Sequence, residues 1–190
     1  TVSIHLKTAG RFMVSNALSA AAAGYRLGLS TEEIREGLQS FQPVAGRMNV
    51  VRTLRGIHII DDTYNANPDS MKAAIDTLGF LKKKKRGIFV AGDMLELGEF
   101  AESMHRMVGT LFATAGIAKL YITGDFAEVV ASGAKNRGMD ADRIFTGRKK
   151  DIVEDMIHFL QPGDWVMVKG SRGMAMEKIV EKLMKWGGAR

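Results

Sequence analysis

The amino-acid sequence predicts an α/β protein with a doubly wound, mostly parallel β-sheet. From residue 57 onwards, short apolar segments typical of strands alternate with segments of helical periodicity. These strand segments are apolar on both faces, as expected when helices cover both sides of a parallel sheet. The first two strand segments are separated only by Arg55 and Gly56, which indicates a hairpin that adds an antiparallel edge.

Two helices are predicted before the sheet. Residues 15–28 are rich in alanine and carry an apolar stripe at helical spacing. A second helix begins at Ser30, which has the spacing of a capping box with Glu33. A proline and a glycine then interrupt the helical pattern, and the composition changes. We therefore predict a domain boundary here, between residues 1–46 and residues 47–190.

The second of these regions is predicted to hold the whole sheet. The predicted strands are residues 50–54, 57–61, 87–91, 119–123, 143–146 and 165–169. The predicted helices are residues 69–81, 99–115, 126–137, 149–160 and 173–186. The regular alternation of these elements is typical of βαβ units in a parallel sheet.

Composition excludes several classes of protein. The 190-residue chain contains no cysteine, so disulfides and thiolate metal sites are excluded. No apolar run approaches the length of a membrane span, and the start lacks a signal-peptide pattern. We therefore expect a cytoplasmic protein without membrane insertion. The chain begins with Thr1 in a strand-like run, and we interpret it as a fragment of a longer protein.

The chain is basic, with a formal net charge of +6, and its densest cationic run is residues 82–86. No aromatic residues interleave these lysines and no recognition motif accompanies them, so we expect no nucleic-acid partner. Cations near a helix C-terminus meet the negative end of the helix dipole, which explains the run as a solvated connection. Anionic small substrates would also suit a basic protein.

The turn after the second predicted strand is the most informative segment. Residues 61–71 read Asp-Asp-Thr-Tyr-Asn-Ala-Asn-Pro-Asp-Ser-Met and concentrate carboxylates, carboxamides and hydroxyls. Ligands of open α/β sheets bind in the crevice at the carboxyl ends of the strands, so this turn is the first candidate site. The alternative is that Pro68 ends the strand and that Asp69 or Ser70 caps the following helix.

A second candidate lies at the end of the last predicted strand. Residues 169–173, Lys-Gly-Ser-Arg-Gly, are predicted to join that strand directly to a helix. Backbone N–H groups at a helix start, a hydroxyl and two cations would form an anion site. The alternative is a simple turn in which Ser171 caps the helix. The chain contains neither a Walker P-loop nor a dinucleotide-binding glycine fingerprint.

The four histidines lack the spacing of metal ligands, and we predict no metal site in this chain. His105 lies near residues 92–99, which are predicted to form another loop at the same sheet edge. It is therefore the histidine with the best prospect of facing the crevice. We assign no catalytic residue to this chain.

Three motifs together resemble the Mur ligases. They are residues 61–71, residues 92–98 (Gly-Asp-Met-Leu-Glu-Leu-Gly) and residues 169–174 (Lys-Gly-Ser-Arg-Gly-Met). The most similar branch adds D-Ala-D-Ala to UDP-N-acetylmuramoyl-tripeptide in bacterial peptidoglycan synthesis. The resemblance implies that residues 1–46 end the central ATPase domain. It also implies that residues 47–190 form the C-terminal Rossmann-like domain of a monomeric, cytoplasmic enzyme.

The resemblance implies three contacts with ATP. Asn16 matches an asparagine near the nucleotide, Arg47 an arginine that reaches the phosphates, and Asp62 the acidic residue at the ribose. A carboxylate suits that role because it can accept hydrogen bonds from both ribose hydroxyls. The family usually has His-Asn where this chain has Phe12 and Met13, which removes polar groups beside the nucleotide. The P-loop and the ligands for Mg²⁺ are expected upstream of this chain.

The resemblance also implies contacts with the amino substrate. Asn65, Asn67, Ser171 and Arg172 match positions in loops that face it. Lys169 and Arg172 are the cations expected to pair with the carboxylate of D-Ala-D-Ala.

The implied reaction is ATP-dependent amide ligation through an acyl phosphate, with the reacting groups positioned between domains. Because the site would be split, this chain alone is expected to have no ligase activity. One alternative is a related amide ligase with a different amino substrate. Another is a non-catalytic nucleotide-binding α/β module.

Overall fold

A computed structural model describes residues 2–8 and 10–188 and confirms the predicted fold class. Its six strands form one sheet in the order β1-β2-β6-β3-β4-β5. The strands are β1 (Asn49–Arg52), β2 (His58–Asp62), β3 (Gly87–Gly92), β4 (Lys119–Thr123), β5 (Ile144–Thr146) and β6 (Trp165–Lys169). β1 pairs antiparallel with β2, and all other neighbouring strands are parallel. The predicted hairpin edge is therefore confirmed.

Seven α-helices lie within the described residues. They are α1 (Arg11–Arg26), α2 (Thr31–Ser40), α3 (Pro68–Lys82), α4 (Ala101–Thr114), α5 (Ala127–Asn136), α6 (Lys149–Phe159) and α7 (Glu177–Gly187). None of these helices is long and apolar enough to cross a bilayer. The predicted capping box of α2 is confirmed, since Ser30 Oγ accepts from Glu33 N and Glu33 Oε2 accepts from Ser30 N.

The sheet is covered by helices on both faces, as its apolar strands predict. On β3, Phe89 and Ala91 belong to the core shared with α3, α4 and α5. Ile88 and Val90 of the same strand belong to the core shared with α6 and α7. Because successive side chains of a strand point to opposite faces, one strand serves both layers. Each large apolar side chain buried in this way contributes about 1.5–3 kcal/mol.

The start of α3 differs from the prediction. Asn67, and not Asp69 or Ser70, is the N-cap residue, and Pro68 occupies the first turn of the helix rather than ending the strand. Asn67 Oδ1 accepts from Ser70 N at 2.8 Å, and Ser70 Oγ accepts from Asn67 N at 3.0 Å. Proline is well accommodated here because the first helical N–H groups have no intrahelical partner.

The last helix also begins later than predicted. A 3₁₀ turn at Arg172–Met174 and a left-handed Ala175 follow β6, and α7 begins only at Glu177. Ser171 makes no side-chain capping bond to this turn. The expectation that residues 169–173 join the strand directly to an α-helix is therefore wrong, and the anion site expected in this turn stays a prediction. The helix predicted over residues 99–115 likewise begins with a 3₁₀ turn at Gly98–Phe100.

The topology places a crevice beside the end of β6. β6 lies between β2 and β3 in the sheet. The chain leaves β2 and β3 towards the face that α3 and α4 cover, but it leaves β6 towards α7 on the opposite face. Ligand sites of doubly wound sheets lie where neighbouring connections diverge in this way. The candidate site is therefore expected where the turns after β2, β6 and β3 meet.

We predict that Gly133→Ala destabilises the fold. A Cβ at Gly133 would lie 2.3 Å from the carbonyl oxygen of Arg106, so α5 cannot approach α4 this closely with any larger residue. Overpacking of this kind costs about 1–3 kcal/mol. The control is Gly79→Ala in α3, where a Cβ would meet nothing within 4 Å and alanine should stabilise the helix slightly. Urea denaturation of both variants measures the difference, and equal stabilities would contradict the close crossing.

Candidate functional site

Two adjacent clefts open at the carboxyl ends of β2 and β6. The larger cleft, of about 420 Å³, has among its lining residues Phe12, Arg47, Asp62, Tyr64, Asn65 and Lys169. The smaller cleft, of about 220 Å³, has among its lining residues Tyr64, Asn65, Glu96, Ser171 and Arg172. The clefts therefore meet at Tyr64 and Asn65, in the turn between β2 and α3. The volume of the larger cleft lies within the range of about 300–1,000 Å³ that is usual for small-molecule sites.

A buried ion pair joins the turns after β2 and β6. The parallel register sets Asp62 opposite Lys169. Lys169 Nζ lies 2.5 Å from Asp62 Oδ2, and the two side chains are only 4% and 12% exposed. Lys169 Nζ also donates to the carbonyl oxygen of Asn65 at 2.8 Å, and Met48 N donates to Asp62 Oδ1 at 3.3 Å. Lys169 therefore holds the turn after β2 in place, and its ammonium group is already paired.

Ser171 is also used inside the protein. Its hydroxyl accepts a hydrogen bond from Leu95 N at 2.8 Å and donates to the carbonyl oxygen of Ala66 at 3.2 Å. Its backbone N donates to the carbonyl oxygen of Asp93 at 2.9 Å. The side chain is buried. Ser171 thus ties together the turns after β2, β3 and β6 and forms part of the floor of the smaller cleft.

Asp93 fastens the turn after β3 to the turn after β4. Its carboxylate accepts hydrogen bonds from Asp125 N at 2.7 Å and from Phe126 N at 3.3 Å. The carboxylate is buried, and burial raises the pKa of Asp93 above its ordinary value, although these N–H groups and nearby His105 oppose the rise. Together with the bond from Ser171 N to the Asp93 carbonyl, these hydrogen bonds join the turns after β6, β3 and β4.

His105 is buried and does not line either cleft, contrary to the possibility raised by its position in the sequence. Its Nε2 accepts from Met94 N at 2.9 Å, and its Nδ1 lies 2.7 Å from the carbonyl oxygen of Ala101. Because Met94 N can only donate, the ring carries its proton on Nδ1. The ring also stacks on Phe126 at 4.3 Å. His105 therefore supports the turn after β3.

The three residues assigned to ATP by resemblance are only partly brought together. Arg47 and Asp62 line the larger cleft, and the exposed guanidinium group of Arg47 lies 4.1 Å from the centre of the Tyr64 ring. Asn16 lines a separate pocket of about 110 Å³ on α1, away from both clefts. Phe12, which stands where the family usually has a polar residue, lines the larger cleft and gives it an apolar wall.

The residues assigned to the amino substrate fall into two groups. Lys169 and Ser171 are buried and hydrogen-bonded, and the Asn67 side chain caps α3. Asn65 and Arg172 line the smaller cleft, and Arg172 is exposed. Sequence analysis passed over Glu96, which faces the same cleft from the turn after β3. The sequence did contain one indication of it, since Glu96 is a carboxylate in a loop that follows a predicted strand.

The described residues contain no group of three or more His, Asp or Glu side chains that could hold a metal ion. The larger cleft carries Arg47, Asp69 and the Asp62–Lys169 pair, and the smaller cleft carries Glu96 and Arg172.

We predict that Lys169→Met is strongly destabilising. The substitution leaves the Asp62 carboxylate buried without its partner, which costs about 3–5 kcal/mol for pairs of this kind. Asp62→Asn should have a similar effect, and the double variant should lose less than the sum of the two, because the pair acts as a unit. The matched control is Arg148→Met, which breaks an ion pair whose arginine side chain is 84% exposed and should change stability little. Guanidinium denaturation of the four variants measures the coupling, and strict additivity would contradict it.

We predict that Asp93 makes the stability of the fold fall with rising pH. The pKa of Asp93 is higher in the folded protein than the ordinary carboxyl value of about 4, so the folded state keeps the proton longer than the unfolded state. The contribution of Asp93 is thus complete below pH of about 4 and is lost as the pH rises through the raised pKa. Urea denaturation should be measured from below pH of about 4 up through the raised pKa of Asp93. As the pH rises, the wild-type protein should lose stability relative to Asp93→Asn, a variant that cannot ionise at this position but keeps His105. A difference that is constant or grows with pH would contradict this assignment.

Comparison with known proteins identifies the family. Residues 46–172 match the family described as Mur ligase, glutamate ligase domain. The chain is 35% identical over 178 residues to the UDP-N-acetylmuramoyl-tripeptide–D-alanyl-D-alanine ligase of Bacillus subtilis (strain 168), covering 93% of this chain and 38% of that protein. It is 33% identical over 189 residues to the enzyme of the same name from Escherichia coli (strain K12), covering 98% of this chain and 40% of that protein.

Solved structures agree with the sequence comparison. A crystal structure of MurF from Acinetobacter baumannii superposes with a TM-score of 0.84 at 31% identity, over 96% of this chain and 40% of that one. MurF ligase from Thermotoga maritima in complex with ADP superposes with a TM-score of 0.79 at 25% identity, over 94% of this chain and 39% of that one. This chain spans about two fifths of the length of these relatives. On the strength of the family match, the chain belongs to the Mur ligases.

Proposed function

We propose that this chain is the C-terminal part of an ATP-dependent amide ligase that adds D-Ala-D-Ala to UDP-N-acetylmuramoyl-tripeptide in peptidoglycan synthesis. The relatives that match nearly the whole chain carry the name of that activity. The observation that carries the proposal is the pair of clefts that meet at Asn65, each with its own free cation. Two adjacent sites are what a ligase needs to bring an activating nucleotide close to an amine.

The larger cleft is proposed to contact ATP. Arg47 is exposed at its edge and suits a phosphate, because a guanidinium group can donate two parallel hydrogen bonds to phosphate oxygens. Asp62 Oδ2 is held by Lys169 at 2.5 Å, whereas Oδ1 accepts only a longer bond from Met48 N at 3.3 Å, so Oδ1 suits a ribose hydroxyl. Asn16 would contribute only through a part of the nucleotide that lies outside this cleft. The related Thermotoga maritima enzyme was solved with ADP.

The smaller cleft is proposed to receive the amino substrate. Arg172 is the free cation for the dipeptide carboxylate, and Lys169 supports it indirectly by fixing the Asn65 turn. Asn65 stands between the clefts and can offer its carboxamide to the substrate. When bound, ATP would supply the phosphoryl group that activates the precursor carboxylate as an acyl phosphate, which the amine of D-Ala-D-Ala attacks. The residues of this chain position these groups.

The remaining parts of the proposal concern the longer protein. The P-loop, the Mg²⁺ ligands and the binding site for the UDP-sugar are proposed to lie in its other domains, with residues 1–46 ending the central domain. We propose a cytoplasmic monomer that closes its domains over the substrates. The leading alternative is a ligase for another amine, because the matching family is described as a glutamate ligase domain.

We predict that the full-length protein releases phosphate from ATP only when both the tripeptide precursor and D-Ala-D-Ala are present, and that the present chain alone releases none. A coupled phosphate assay with D-Ala-D-Ala, L-glutamate and other candidate amines measures this directly. Release with a different amine would favour the alternative ligase, and ligation by the isolated chain would overturn the split-site proposal.

Two arginine variants test whether the nucleotide binds in the larger cleft. Arg47→Met in the full-length protein should raise the KM for ATP about tenfold or more, as expected for the loss of a charged hydrogen bond to phosphate. Arg52→Met removes an exposed arginine from the far end of β1 and should leave that KM unchanged. Equal effects of the two substitutions would argue against a phosphate contact by Arg47.

A further inference from the structure

We propose that Glu96 is a specificity-determining residue that binds the ammonium group of the amino substrate, opposite Arg172 in the smaller cleft. The proposal rests on the function proposed above and deepens it. Arg172 was proposed to bind the carboxylate of the dipeptide, and Glu96 would add a group that binds its ammonium end. Glu96 and Arg172 enter the cleft from different turns, Glu96 after β3 and Arg172 after β6. Two opposite charges that line one cleft match a molecule with an ammonium group at one end and a carboxylate at the other.

Both charges are available for a ligand. Within residues 2–8 and 10–188, neither Glu96 nor Arg172 takes part in an ion pair, although each faces the same small cleft. Lys169 and Ser171 at the same strand ends are engaged, since Lys169 binds Asp62 and Ser171 binds Leu95 N. The free charges of the smaller cleft are therefore one carboxylate and one guanidinium group. A phosphate or a metal ion would each be repelled by one of the two.

The backbone holds Glu96 in an unusual conformation. Its φ angle is +64°, in the left-handed region that residues with a side chain seldom occupy. The neighbouring Leu95 N is fixed by its hydrogen bond to the buried Ser171 hydroxyl, and the Asp93 carbonyl accepts from Ser171 N. Strained residues that the surroundings hold in place are concentrated at binding and active sites. The residue that fixes this turn is Ser171, which directly precedes Arg172 in the chain.

The position of the smaller cleft suits an amine that must react. It shares Tyr64 and Asn65 with the larger cleft, so a dipeptide bound between Glu96 and Arg172 lies beside the proposed nucleotide site. A carboxylate that holds the ammonium group fixes the position of the nitrogen in this cleft. The cleft volume of about 220 Å³ is about half that of the larger cleft and suits a short zwitterion such as D-Ala-D-Ala.

The test is steady-state kinetics of the full-length protein carrying Glu96→Gln. The substitution keeps the size of the side chain and removes its charge, so the KM for D-Ala-D-Ala should rise about tenfold or more while the KM for ATP stays within about a factor of two. The matched control is Glu99→Gln, an exposed carboxylate three residues further on that does not line the smaller cleft. Its kinetic constants should equal those of wild type.

A second ligand separates contact with the ammonium group from a structural effect. N-Acetyl-D-Ala-D-Ala keeps the carboxylate and lacks the ammonium group, and its inhibition constant should be the same for wild type and Glu96→Gln. Arg172→Gln should weaken both ligands. Unchanged KM for the dipeptide in Glu96→Gln, or equal weakening of both ligands, would overturn the assignment of Glu96. Absence of phosphate release by wild type with D-Ala-D-Ala would instead overturn the proposed function. D-Ala-D-Ala would then also be excluded as the ligand of the smaller cleft.

Discussion

The constraint on which the site depends is the buried ion pair between Asp62 and Lys169. Two charges can leave water only if they are paired and their remaining hydrogen-bonding positions are filled, which Asn65 and Met48 do here. The parallel register of β2 and β6 sets the two residues opposite each other, so the pair forms only when both strands are in place. It fixes the turn between β2 and α3, and both clefts open around that turn.

The polar residues at these strand ends divide into a frame and a set of free groups. The frame consists of buried side chains, among them Lys169, Ser171 and Asp93, which join the turns after four neighbouring strands. Arg47 and Arg172 are exposed cations that line the two clefts. Such an arrangement would orient the charges proposed to bind ligands at little cost during binding, because the buried bonds are formed on folding.

The fold was largely predictable, because apolar periodicity is a local property and the strands of this sheet are apolar on both faces. The position of the two clefts followed from the same pattern, since polar turns at the ends of β2 and β6 had to share an edge. The roles of Lys169 and Ser171 were not predictable, because their burial depends on strand register. Glu96 was missed for a similar reason, since neither its left-handed backbone nor its shared cleft with Arg172 is visible in the sequence.

The most direct test of the central ion pair is nuclear magnetic resonance of the lysine side-chain ammonium groups in the ¹⁵N-labelled chain. A buried ammonium group bonded to Asp62 Oδ2 and the Asn65 carbonyl is shielded from water. We expect Lys169 to give a resolved ammonium signal whose protons exchange slowly with solvent, in contrast to exposed lysines such as Lys84. Exchange at Lys169 as fast as that at Lys84 would show that the two turns are not joined by a buried pair.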